Sequence, residues 1–125
     1  MTDPLLTAIT ELARQNPDIV VVWLYGSRAT GMAHQASDYD LAVAFAEFIK
    51  DDPLARRLRP ECLALAWQEV LGLADFKLSI VDINQAPILL AWEIIQPDRV
   101  LFCRDQDRLW QETLRIHQRM ELDYV

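Results

Sequence analysis

The sequence predicts an α/β fold: a single domain over residues 1–125, with one mixed β-sheet of about four strands packed with helices. Three observations carry that expectation. A length of 125 residues is that of one domain. Apolar residues make up 52% of the chain, enough for one core between helices and a sheet. Short β-branched runs alternate with segments of helical periodicity, the pattern of helices laid on a sheet.

In chain order, Thr2 or Asp3 can cap a first helix with Pro4 at its first position. Leu5, Leu6, Ile9, Leu12 and Ala13 then share one face, and Asn16-Pro17-Asp18 ends the helix. Ile19 to Tyr25 is a β-branched and aromatic run, short enough for a buried strand. Gly26 to Ser37 reads as a loop. Tyr39 to Phe45 reads as a second strand, alternating Asp40, Ala42 and Ala44 with Leu41, Val43 and Phe45. After the polar turn Lys50-Asp51-Asp52-Pro53, a helix is expected over Leu54 to Leu71, restarting at Pro60 and followed by Gly72. Phe76 to Ile83 reads as a third strand. Gln85 to Gln96 reads as a helix with Pro87 in its first turn, and Val100 to Cys103 as a short fourth strand. Asp105 or Asp107 caps a last helix reaching about Glu121, with Leu109, Thr113, Ile116 and Met120 along one stripe.

Composition excludes several function classes. The formal net charge is −7, which argues against direct nucleic-acid binding, since that needs a basic stripe to neutralise phosphates. It argues equally against an anionic membrane surface. No run of roughly 18 apolar residues occurs, so no membrane span is expected. Met1-Thr2-Asp3-Pro4 lacks the basic start of a signal peptide, and a cytoplasmic location is the default expectation. Cys62 and Cys103 form neither a CxxC pair nor a zinc spacing. Both sit among apolar residues and are expected as buried thiols.

The chemistry is expected in Gly26-Ser27-Arg28-Ala29-Thr30-Gly31, followed by Ser37-Asp38-Tyr39-Asp40-Leu41. Glycine lets a backbone turn sharply and approach a ligand. A helical turn starting at Ser27 points free N–H groups outward, where they can hold phosphate, and Arg28 can add charge. Asp38 and Asp40 are two apart at the start of a strand, so period two puts both carboxylates on one face within reach of one ion. Two such charges repel unless a cation sits between them, and hard oxygen ligands favour Mg²⁺ or Mn²⁺. A phosphate cradle facing a metal site is the equipment of phosphoryl or nucleotidyl transfer.

These residues resemble the signature of the polymerase β-type nucleotidyltransferase superfamily: Gly26-Ser27, a spacer of ten residues, then Asp38 and Asp40. The Gly-Ser-Arg-Ala and Ser-Asp-x-Asp-Leu wording is most similar to its minimal, single-domain branch. These are the MNT-domain proteins, including the MntA-type antitoxins of HepT–MntA systems. The resemblance implies a Mg²⁺-dependent enzyme with ATP as substrate. It would transfer AMP to a tyrosine of a cognate HEPN-domain RNase toxin, neutralising the toxin within a hetero-oligomer. It also implies roles for residues: Gly26 and Ser27, with Arg28, on the nucleotide, and Asp38 and Asp40 on the metal.

The family normally supplies a third carboxylate from a later strand. Aligning Val81-Asp82-Ile83 with the family's final Val-Asp-Leu puts Ser79 at that position. Asp82 is three residues on, on the opposite face unless a bulge intervenes. Three outcomes stay open. Asp82 replaces the third carboxylate as a metal ligand, the enzyme works slowly with two carboxylates, or the domain is a non-catalytic antitoxin that inhibits by binding. A small-molecule or tRNA acceptor is a further alternative.

Other residues point elsewhere. Arg56, Arg57 and Arg59 read as a solvated helix face, and Lys77 as an edge-strand lysine. His34 is expected as a solvent-facing loop residue, and His117 has no second histidine at ligand spacing. Trp67, Trp92 and Trp110 are expected in packing or interface roles rather than base stacking, and Trp23 and Tyr25 to share a face, with core packing the default for Tyr25 and a place at the pocket border, beside Gly26, the alternative. The apolar residues Met120, Leu122, Tyr124 and Val125 hint at a partner surface.

Overall fold

The computed structural model describes residues 3–33, 37–74 and 77–124. The elements run α1 (Pro4–Gln15), β1 (Ile19–Tyr25), α2 (Ser27–Thr30), β2 (Tyr39–Phe45), α3 (Pro53–Leu71), β3 (Leu78–Asp82), α4 (Ile88–Ile95), β4 (Val100–Cys103) and α5 (Gln106–Tyr124). Thr2, His34, Phe76 and Val125 lie outside the described residues, so the expectations placed on them are not taken further. No helix is long and apolar enough to cross a membrane, among the described residues.

Local chemistry sets the ends of these elements. Asp3 accepts a hydrogen bond from the Leu5 N–H at 2.8 Å and so caps α1. At the other end, the Arg104 guanidinium donates to the Arg14 carbonyl at 2.9 Å, satisfying a terminal acceptor of α1. Asp105 caps α5 by accepting from Asp107 N–H at 3.0 Å.

The sheet order is β3-β2-β1-β4. β1 runs antiparallel to β2 and β4, and β2 runs parallel to β3, so the sheet is mixed. Helices cover both faces. Val22, Leu24, Leu41, Val43 and Ile80 pack with Ile9 of α1 and Trp67 of α3. Val21, Trp23, Ala42 and Ala44 pack with Ala91 and Ile94 of α4 and Ile116 of α5. Burial of both faces explains why β1 reads as a continuous apolar run rather than an alternating one.

Several expectations are corrected. α3 passes through Pro60 without restarting. Proline brings no N–H for the Arg56 carbonyl four residues back, and that carbonyl accepts instead from Gln85 Nε2 at 2.8 Å. α4 begins at Ile88, because Gln85 and Ala86 are held in a turn by the Asp82 carbonyl. α5 extends to Tyr124. Cys62 is exposed rather than buried, lying on the outer side of α3. Arg59 is not a solvated residue: its guanidinium stacks 3.9 Å from the Phe45 ring and donates to the Glu47 carbonyl at 2.8 Å. Of the packing and interface roles expected for Trp110, its 66% exposure leaves the interface role.

Candidate active site

β1 delivers the chain to Gly26, which has φ 73° and ψ −159°, a conformation that favours glycine. The chain turns there into α2, whose opening residues are Ser27 and Arg28. The Ala29 N–H donates back to the Gly26 carbonyl at 3.1 Å, winding the turn directly onto the glycine. Gly31 closes the turn at φ 79°, its N–H bonded to the Ser27 carbonyl.

Beside this turn, β2 begins. The register places Tyr25 opposite Asp40 on one side and Ser79 opposite Asp40 on the other. Paired residues of neighbouring strands project from the same face, so Tyr25, Asp40 and Ser79 form a lateral row. A Cβ built on Gly26 would collide with Oδ2 of Asp40. The glycine is therefore required twice, once by its own torsion and once by the carboxylate packed on it. The sequence predicted the nearness of the Gly26–Ser27 turn and the acidic pair; the contact itself needed the fold.

Asp38 precedes the strand and is exposed, and Asp40 is partly buried. Burial raises the Asp40 carboxyl above its ordinary value, and the neighbouring Asp38 charge raises it further. Tyr25 is pushed up to about 12 by burial, by Asp40 and by Glu93 of α4. Sequence reasoning missed Glu93, because nothing in α4 reveals which residue brings its charge near Tyr25 before the topology is known. Among the described residues, no group of three His, Cys, Asp or Glu side chains is arranged to hold a metal ion.

Two site expectations change. Asp82 pairs with Val43, whereas Ser79 pairs with Asp40, and the register between them is regular. Asp82 therefore lies on the opposite face, 5% exposed, near Arg59 and bonded by the Asn84 N–H at 2.9 Å. It does not substitute for the third carboxylate. Arg28 was expected on the nucleotide. Its Nε and Nη2 instead donate to the Ser37 carbonyl at 3.1 and 2.7 Å, and its guanidinium lies 3.8 Å over the Tyr39 ring. Tyr39 in turn donates its hydroxyl to Asp3 at 2.9 Å. Arg28 thus ties α2 to the residues at the start of β2. Arg56, Arg57 and Arg59 lie on α3, while His117 meets Trp92 edge to face at 4.9 Å.

The residues present fit one divalent ion held by two carboxylates. Asp40 already bears a repulsion from Asp38 that a cation would relieve.

Comparisons with known proteins give the family and the fold. A family model described as polymerase beta, nucleotidyltransferase matches residues 7–107. The chain is 32% identical over 91 residues to the protein adenylyltransferase MntA of Aphanizomenon flos-aquae, covering 69% of this chain and 58% of that one. It is 30% identical over 100 residues to the protein adenylyltransferase MntA of Shewanella oneidensis, covering 79% and 66%. The chain thus spans less than two thirds of the length of these curated relatives. Among solved structures, a toxin–antitoxin complex with AMP-PNP aligns with TM-score 0.68 at 23% identity, covering 94% of this chain and 88% of that chain. A tri-AMPylated Shewanella oneidensis HEPN toxin in complex with MNT antitoxin aligns with TM-score 0.64 at 18% identity, covering 94% and 84%. At those identities the structures establish the fold.

Proposed function

The chain belongs to the polymerase beta nucleotidyltransferase family, and on that premise we propose that it transfers AMP from ATP to a tyrosine of a HEPN-type RNase partner, acting as its antitoxin. The observation that carries this reading is the row Tyr25–Asp40–Ser79 beside the Gly26–Ser27 turn. Relatives named protein adenylyltransferase support the reaction, and solved toxin–antitoxin complexes of the same fold support the partner.

In this reading the N–H groups and hydroxyl at Ser27 hold the outer phosphates, and Gly26 lets them approach. Asp38 and Asp40 would hold Mg²⁺, which supplies charge neutralisation at the reacting phosphate when bound. The acceptor oxygen bonds to the α-phosphorus, the bond to the β-bridging oxygen breaks, and pyrophosphate leaves. The acceptor proton passes to solvent, because Ser79 and not a carboxylate stands beside Asp40. A phenol, with a pKa of about 10, loses that proton with less help than an aliphatic hydroxyl. The missing third carboxylate therefore suits a tyrosine acceptor.

The same Ser79 favours a second reading, a non-catalytic antitoxin that inhibits by binding. Intact-mass spectrometry of the co-expressed partner separates the two. One AMP mass or multiples of it, lost with Asp40→Asn, supports the enzyme. An unmodified but inhibited partner supports the binder, and wild-type transfer by Asp40→Asn removes the site assignment.

A further inference from the structure

The sheet holds one of the two carboxylates directly and not the other. Asp40 is fixed by its register, with Tyr25 on one side and Ser79 on the other. The pairing of β2 with β3 starts at Tyr39, opposite Leu78, so Asp38 stands one residue before the strand, and it is exposed. Two carboxylates can share an ion only when the distance between them is held, so Asp38 needs a support that the ladder does not give.

Arg28 brackets Asp38 on both sides. Its Nε and Nη2 donate to the carbonyl of the residue before it, Ser37, at 3.1 and 2.7 Å. Its guanidinium also lies 3.8 Å over the ring of the residue after it, Tyr39. The Ser37 carbonyl and the Asp38 N–H belong to one planar peptide unit, so the grip on that oxygen sets how the chain enters Asp38. The surface beneath the guanidinium is itself anchored: Tyr39 is 7% exposed, and its hydroxyl donates at 2.9 Å to Asp3, the cap of α1. Strand alternation sends the Tyr39 side chain to the face opposite Asp40, so Arg28 works from behind the acidic pair. From these contacts we propose that Arg28 is a positioning residue for the metal site. It holds the main chain of Asp38 at the spacing from Asp40 that one divalent ion requires, and it couples that spacing to Ser27, its neighbour in the chain. Lysine cannot take its place, because it has neither the planar fork nor the flat face that stacks on a ring. This inference rests on the metal-dependent AMP-transfer reading above.

The test uses Mn²⁺ alone as the probe, with its binding to metal-free protein read by electron paramagnetic resonance of the free ion. We expect Arg28→Lys to weaken Mn²⁺ binding by about tenfold or more, the cost of losing a group that orients a ligand. Amide hydrogen exchange at residues 38–40 should quicken in the metal-free variant, and AMP-PNP affinity without metal should be unchanged. Thermal scans establish that wild type and variant are both folded at the assay temperature. Should Arg28→Lys fail to fold, Tyr39→Leu, which removes the ring beneath the guanidinium, takes its place and should weaken Mn²⁺ binding in the same way. Equal Mn²⁺ affinity in wild type and variant overturns the proposal and leaves Asp38 and Asp40 as metal ligands. Loss of AMP-PNP binding with Mn²⁺ affinity kept puts Arg28 on the nucleotide and overturns it as well. If the wild type binds no Mn²⁺, the metal site falls first and the positioning role falls with it.

Discussion

A carboxylate partly removed from water and set beside another carboxylate is destabilised in its ionised form. Asp40 is in that position, its pKa raised by burial and then by Asp38. The native state holds the Asp40 proton more tightly than the unfolded chain does. The penalty is therefore fully present above the raised value and is relieved as pH falls through it. Without metal at pH 7, Asp40→Asn should melt at a higher temperature than wild type, and the advantage should shrink as the buffer is acidified. Thermal scans across pH measure this; a lower melting temperature for the variant at pH 7 would contradict it. The same variant should lose transfer by about 10²- to 10⁴-fold, the effect of several kcal/mol of charge stabilisation. Gly26→Ala pushes a methyl into Asp40 and imposes a left-handed torsion on alanine. It should cost roughly 1–3 kcal/mol of stability, read by urea unfolding, and abolish transfer. The placing of Gly26 and Ser27 at the end of one strand and of Asp38 and Asp40 at the start of another was legible because glycine freedom and strand alternation are local rules. The clasp made by Arg28 was not, because its partner is a carbonyl whose position depends on the path of the whole loop.

Among the elements, α5 is fastened through Glu112. Burial alone would raise this carboxyl, but hydrogen bonds from Asn84, Arg108 and Arg115 reverse that and hold it below its ordinary value. Arg108 also reaches the Phe45 carbonyl at 3.0 Å and Asn84 at 2.7 Å, so one helix ties the end of β2 to the turn after β3. A depressed carboxyl contributes stability above its unfolded value and loses it as pH falls through the folded one. Glu112→Gln should therefore cost about 2 kcal/mol at pH 7, with the gap closing as the buffer is acidified through and below the ordinary carboxylate range. Urea titrations at both pH values check it, and a gap that stays constant would mean the loss is one of packing. Most elements could be read from the chain, since Asp3-Pro4 and the β-branched run from Ile19 act within a few residues. The uninterrupted α3 could not, because the group that replaces the missing N–H of Pro60 is Gln85, twenty-five positions away. Cys62 misled for a related reason: apolar neighbours in sequence are not neighbours in burial when a helix turns them to different sides.

At the scale of the molecule, strand order was the information the sequence withheld. Strand alternation alone put Ser79 and Asp82 on opposite faces. Only the parallel pairing of β2 with β3 shows that Ser79, and not Asp82, stands beside Asp40. That pairing also makes the site part of the central sheet: Asp40 belongs to β2, which contributes Leu41 to one core and Ala42 to the other. Ligand bound at the row should therefore stabilise both cores together. With Mg²⁺ and AMP-PNP at about 100 times the dissociation constant, binding adds about 2.7 kcal/mol, a melting shift on the order of 10 °C for a domain of this size. Trp23 in one core and Trp67 in the other, 1% and 5% exposed, make tryptophan fluorescence a reporter of both. The fluorescence and far-ultraviolet circular dichroism transitions should move by the same amount. Asp38→Asn and Asp40→Asn should remove the Mg²⁺-dependent part of the shift. A full shift surviving in both variants would place the nucleotide somewhere other than beside Gly26, and the sheet's register would then have no bearing on catalysis.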